Sequence, residues 1–75
     1  MKMFFERLRE MRGEHMKTQQ DIANILHCQR EVYRRYETGK VEIPVSYLIA
    51  LARYYNVSTD YLLGLSDERR PFPQK

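Results

Sequence analysis

Arg30, Glu31 and Arg35 are the side chains of this sequence best suited to chemistry with another molecule. An arginine donates two hydrogen bonds to the edge of a guanine, and a glutamate accepts one from the amino group of a cytosine. All three lie in one stretch, residues 29–37, whose large inward candidates Tyr33 and Tyr36 are three apart. A helix turns by about 100° per residue. With Tyr33, Tyr36 and Glu37 facing inward, Glu31, Arg35 and Thr38 fall on the opposite face. Arg34 flanks that stripe, and Arg30 projects forward from the first turn. In a DNA-reading helix the N-terminal part usually meets the base edges. A plainer reading stands beside this one: Glu31 and Arg35, four apart, are an exposed ion pair. The two are compatible if the pair opens when bases are offered.

Such a helix needs a scaffold, and the spacing predicts helices almost throughout with no strand alternation. Phe4 or Phe5, Leu8 and Met11 form a first apolar stripe, with Gly13 near its end. Thr18 and Asp21 stand where a capping box would open a second helix, whose buried face is Ile22, Ala23, Ile25 and Leu26. His27 and Cys28 make a tight connection to the third helix, which Gly39 stops. Pro44 and Ser46 suit the start of a fourth helix with Leu48, Leu51, Ala52 and Tyr55 on its core face, ended by Asn56. Ser58 caps a short fifth helix containing Tyr61, Leu62 and Leu63, closed by Gly64. Two short helices joined by a tight turn, the second of them basic, trace a helix-turn-helix. Ala23 supplies the small residue wanted where the two helices cross.

Size and composition set the limits. The chain has 75 residues, room for one domain, with a thin core expected. Hydrophobic residues are 43% and charged residues 31%, which suits a compact globule rather than a disordered chain. The net charge of +3 is too mild to argue for nucleic acid by itself, so the placement of the charge must decide. One cysteine, Cys28, excludes an internal disulfide and fits a reducing cytosol. With His15 and His27 it makes no metal-ligand set. No apolar run reaches membrane-spanning length, so a cytoplasmic location is expected. No nucleophile with a matched base, paired carboxylates or phosphate-cradling glycine loop points to an enzyme or to a cofactor.

Several segments recur in order at a familiar spacing: Thr18-Gln-Gln-Asp-Ile-Ala23, Leu26-His-Cys-Gln29, Tyr36-Glu-Thr-Gly-Lys40, Pro44, Leu51-Ala52, and Val57-Ser-Thr-Asp-Tyr-Leu-Leu-Gly64. From about Leu8 to Gly64 the sequence resembles the Cro/CI-type (XRE) helix-turn-helix family. That resemblance implies an all-α, five-helix, lambda-repressor-like DNA-binding domain over residues 1–65. Residues 66–75 are left as a flexible or partner-ordered tail. It also implies residue roles. Arg30, Glu31 and Arg35 match base-reading positions. Gln19, at the start of the second helix, matches a residue that grips a phosphate. Gln29 opens the recognition helix, and Thr38 to Lys40 match a backbone-gripping segment beyond it; Gln29, Arg34, Thr38 and Lys40 join Gln19 as phosphate candidates. Arg12 and Glu37 match a partly buried ion pair, the alternative being two separate surface charges. Two departures stand out. His27 occupies a turn position usually held by glycine, and Lys17 replaces a usual leucine, whose place Met16 is expected to fill. Cys28 takes the position of a small apolar residue and is expected to be a buried, inert thiol.

The expected partner is an operator in double-stranded DNA, bound by a homodimer whose recognition helices sit about 34 Å apart on a two-fold axis. A stand-alone repressor is the natural reading, and activation is equally allowed by the residues. A second reading is a module that binds protein, such as an antitoxin, through the tail. Leu62, Leu63 and Leu65 are the candidates for the dimer surface.

Overall fold

The computed structural model describes residues 4–71. Five helices occupy them: α1 (Phe4–Glu14), α2 (Gln19–Leu26), α3 (Arg30–Glu37), α4 (Val45–Tyr55) and α5 (Thr59–Leu62). Leu8, Met11, Ile22, Tyr33, Leu51 and Leu62 are the largest fully buried side chains, so every helix contributes to a single core. Ala23 is fully buried where α2 packs on α3. No helix among the described residues is long and apolar enough to cross a membrane.

Local chemistry sets the helix ends. The Asp21 amide donates to Thr18 Oγ1 over 3.1 Å, and the Thr18 amide donates to Asp21 Oδ2 over 2.9 Å. This reciprocal box satisfies two donors that the first turn of α2 would otherwise leave without partners. Ser58 Oγ accepts from the Tyr61 amide over 3.0 Å and opens α5. Pro44, as the residue ahead of α4, has φ −60°, a value its ring imposes anyway.

Three helices end on a left-handed residue that is not glycine: Met16 (φ 56°), His27 (φ 58°) and Asn56 (φ 57°). At His27 the conformation brings the Cys28 amide to the Ala23 carbonyl, 3.0 Å away, and closes α2. A side chain there costs about 1–2 kcal/mol relative to a right-handed residue. His27 is exposed, so little packing is at stake. His27→Gly is expected to stabilise the domain by about 0.5–1 kcal/mol, the relief of strain outweighing the added freedom of the unfolded chain. Urea denaturation measures it, and an unchanged or lower midpoint would mean that the histidine ring contributes packing worth as much as the strain.

Two expectations need correction. Met16 does not fill the place of the usual leucine: it is 90% exposed, because its left-handed backbone caps α1 and turns the side chain outward. Leu62 does not belong to an outer surface, since it is fully buried; Leu65 remains exposed and Leu63 half-buried. Gly13 lies in the last turn of α1, near the end as its position suggests, while the exit from that helix falls to Met16. Arg7 of α1 is buried despite its charge. Its guanidinium lies 4.0 Å from the centre of the Tyr61 ring, a cation–π contact that stands in for solvent.

Candidate nucleic-acid interface

Glu37, the last residue of α3, has a side chain only 2% exposed. Arg12 on α1 reaches it with two hydrogen bonds, Nε to Oε2 at 2.7 Å and Nη2 to Oε1 at 3.1 Å. Gln19 on α2 adds a third, Nε2 to Oε1 at 3.2 Å. The remaining Arg12 nitrogen, Nη1, donates to the Lys17 carbonyl at 3.0 Å, so the loop between α1 and α2 is tied in as well. Burial pushes the Glu37 carboxyl up, but Arg12, the neighbouring Tyr33 hydroxyl and Gln19 outweigh it and hold the group below its ordinary value of 4.5. One carboxylate thus fixes α3 to both preceding helices. Gln19, expected at a phosphate, spends its side-chain amide on this network and sits half-buried at the head of α2.

The tyrosines anchor the same helix from its inner face. Tyr33 is fully buried and Tyr36 nearly so, with their rings edge to face at 6.4 Å and Tyr36 edge to face with Tyr47 at 6.1 Å. Such pairs add to simple area burial. Burial raises the Tyr33 hydroxyl far above the ordinary phenol value, so it stays neutral beside Glu37. That hydroxyl is shut off from solvent and is no candidate for a phosphate.

With its inner face committed, α3 turns the other outward. Gln29, Arg30, Glu31, Arg35, Thr38 and Lys40 are all exposed, and Arg34 is half-buried. Glu31 pairs mainly with Arg34, three residues on: Arg34 Nε donates to Oε2 at 3.0 Å, and Nη2 engages Oε1. The pair expected with Arg35 is secondary, its closest approach 3.9 Å. Hydrogen bonding from Arg34 is the main cause that holds the Glu31 carboxyl below the ordinary carboxylate range. The outer face therefore carries a fixed Glu31–Arg34 unit, with Arg35 52% exposed beside it and Arg30 at the helix start. Arg34 and Arg35 also stand in the last turn, where the helix dipole favours cations.

Beyond α3 the chain is held against its own helix end. Thr38 Oγ1 and the Lys40 amide both donate to the Arg35 carbonyl, at 3.2 and 3.1 Å. Gly39 has φ 78°, and a β-carbon there would lie 2.9 Å from Phe5 Cε1. Glycine is required twice over, for the backbone and for the ring. The segment expected to grip the DNA backbone, Thr38 to Lys40, thus rests on Phe5, which the sequence places only in the first apolar stripe. Its signal was a glycine followed at once by a lysine, which spacing alone did not tie to Phe5. Cys28 is half-buried against the core, and burial pushes its thiol up, away from thiolate chemistry. Among the described residues no group of three or more His, Cys, Asp or Glu is placed to hold a metal ion.

A family model described as helix-turn-helix matches residues 8–62. The chain belongs to the XRE-type helix-turn-helix family. In this helix-turn-helix domain α2 and α3 are the two helices of the motif, with His27, Cys28 and Gln29 between them. YobD of Bacillus subtilis (strain 168), an uncharacterized HTH-type transcriptional regulator, is 38% identical over 92% of this chain and 62% of its own length. YonR of the same organism, an SPbeta prophage-derived HTH-type transcriptional regulator, is 41% identical over 81% of this chain and 56% of its own length. The crystal structure of a transcriptional regulator from Listeria innocua superposes with a TM-score of 0.78 at 29% identity, covering 96% of this chain and 61% of that one. The chain thus spans about three fifths of the length of these relatives.

Proposed function

We propose that this helix-turn-helix domain binds double-stranded DNA sequence-specifically and regulates transcription, with α3 in the major groove. One observation carries the proposal. The Arg30, Glu31 and Arg35 side of α3 is open to solvent, while on the other side Glu37 ties the helix to α1 and α2 and Tyr33 and Tyr36 are buried in the core. A helix held this firmly presents its donors and acceptors as a rigid set, which base reading needs. Arg30, Glu31 and Arg35 read bases in this proposal. Gln29, Arg34, Thr38 and Lys40 meet phosphates, and Gln19 does so with whatever donor capacity the Glu37 network leaves. Membership of a family with transcriptional regulators among its relatives supports the same reading. The protein acts in the cytoplasm as a homodimer on a two-fold operator, and as a repressor through occupancy of that site.

Selection from random duplex DNA with the purified protein tests the whole proposal. The expected result is an inverted repeat whose half-sites are about 10 base pairs apart, centre to centre. Failure to enrich any motif would remove the proposal, and a single unrepeated half-site would remove the dimer.

Lys40→Ala separates phosphate grip from base reading. Every cation seated on a phosphate steepens the dependence of log affinity on log salt by about one. Lys40→Ala is therefore expected to weaken binding to cognate and unrelated duplexes alike and to make that slope shallower by about one, in titrations at several salt concentrations. A loss confined to the cognate sequence would place Lys40 at a base instead.

A further inference from the structure

The chain does not leave the domain at α5. The Ser58 amide donates to the Arg69 carbonyl at 3.0 Å, and Ser58 Oγ donates to the Glu68 carbonyl at 3.1 Å. Arg69 then reaches Glu14, at the end of α1, with two hydrogen bonds of 2.9 and 2.7 Å. The same guanidinium lies 5.0 Å from the Tyr61 ring, on which buried Arg7 also stacks. Asp67 approaches Arg7 Nη2 at 3.6 Å, and Arg7 Nε has no hydrogen-bond partner among the described residues. Within the segment, the Glu68 amide donates to Ser66 Oγ and the Arg70 amide to Glu68 Oε1.

We propose that residues 66–70 form a detachable, salt-sensitive clasp that closes the α1–α5 end of the domain. Three features give it that character. The segment has no helix or strand of its own, so its order comes from these few contacts. Its two side-chain ties to α1 are ionic, and the Glu14–Arg69 pair is about half exposed on both partners, where salt weakens it. Beneath it lie groups that gain from being covered: the Arg7 guanidinium, the Tyr61 ring and the Ser58 backbone amide, all in buried residues. Opening removes the partner of the Ser58 amide without disturbing the α1–α3 contacts at Arg12 and Glu37, which rest on other residues. The clasp is therefore a local opening unit, distinct from global unfolding.

Amide hydrogen exchange at Ser58 on the full chain reads this opening. In the unsubstituted protein the Ser58 amide is expected to be protected, yet to exchange faster than the Leu62 amide of the core. Raising salt from about 0.05 to about 0.5 M is expected to speed Ser58 exchange severalfold while leaving Leu62 unchanged. Arg69→Met and Glu14→Gln are each expected to speed it about tenfold, to remove most of its salt response, and to add little to each other when combined. These residues are exposed enough that the fold survives, and the salt response of the unsubstituted protein is independent of any variant. Ser58 exchanging in step with Leu62 would make the segment a permanent part of the core. An unprotected Ser58 would mean that the clasp does not close in solution, and a salt-independent rate would show that the ion pairs do not hold it. Each of these three outcomes overturns the proposal.

Discussion

Arg12→Met lowers the stability of the domain by about 3 kcal/mol at neutral pH, the lower end of the cost of stripping one partner from a buried ion pair. The lower end applies because the Arg12 side chain keeps 20% exposure, so water takes up part of the loss. Against a total of about 4–11 kcal/mol for a chain of this length, that is a large share. Glu37 is left with the Gln19 amide and the neighbouring Tyr33 hydroxyl, in a site that admits almost no water.

The pH dependence gives this prediction its signature. In the unsubstituted protein Glu37 titrates below its ordinary value of 4.5. Its contribution to stability is therefore complete above that value and is lost as pH falls through the lower, folded-state value. In Arg12→Met the main opposition to burial is gone and the group titrates higher than in the unsubstituted protein, so acid neutralises it more readily and relieves the fold. The gap in stability between the two proteins is expected to be widest near neutrality and to narrow as pH drops toward and below 5. Adding Glu37→Gln to Arg12→Met should recover part of the loss, since a neutral amide there no longer needs a cation. Denaturant melts across pH provide the measurement, and a deficit that stays constant with pH would show that Arg12 acts by packing alone.

Arg35→Ala is expected to weaken binding to the selected operator by about 1–3 kcal/mol, roughly 5- to 150-fold. Base preference should relax at one or two positions per half-site. Stability should barely move, because Arg35 is half exposed and Glu31 keeps its tighter bonds to Arg34. That separation makes the variant informative: a folded protein without its discrimination. Affinity measured at a single salt concentration on cognate and single-base-changed duplexes tests it. Equal losses on all duplexes would move Arg35 to the phosphate set.

The punctuation of the fold was legible in the sequence. Thr18 with Asp21, Pro44, Asn56 and Ser58 each name a helix end by a local rule, and each helix end lies where that rule puts it. The outward placement of Arg30, Glu31 and Arg35 follows from helical geometry once the tyrosines are turned inward. What escaped is long-range. Arg7 looks like surface by charge, and only the arrival of Tyr61 from the far end of the chain makes its burial tolerable. Leu62, a candidate for the dimer surface, is aimed into the core by the single turn of α5, which brings it against the other helices. Glu31 could reach Arg34 or Arg35 by spacing, and side-chain geometry chose the nearer. Met16 shows the limit of reading by substitution: an apolar residue next to a vacant apolar position serves the backbone instead.

Phe5 and Gly39 have one further consequence. The aromatic ring acts as a wedge behind the bend that follows α3, so the shape of that bend depends on a residue more than thirty positions earlier in the sequence. Trimming the first five residues would leave every outward-facing arginine intact and still blunt recognition, because the wedge would be gone. Loss of activity in a shortened version of this protein is thus no sign that the missing piece touched DNA.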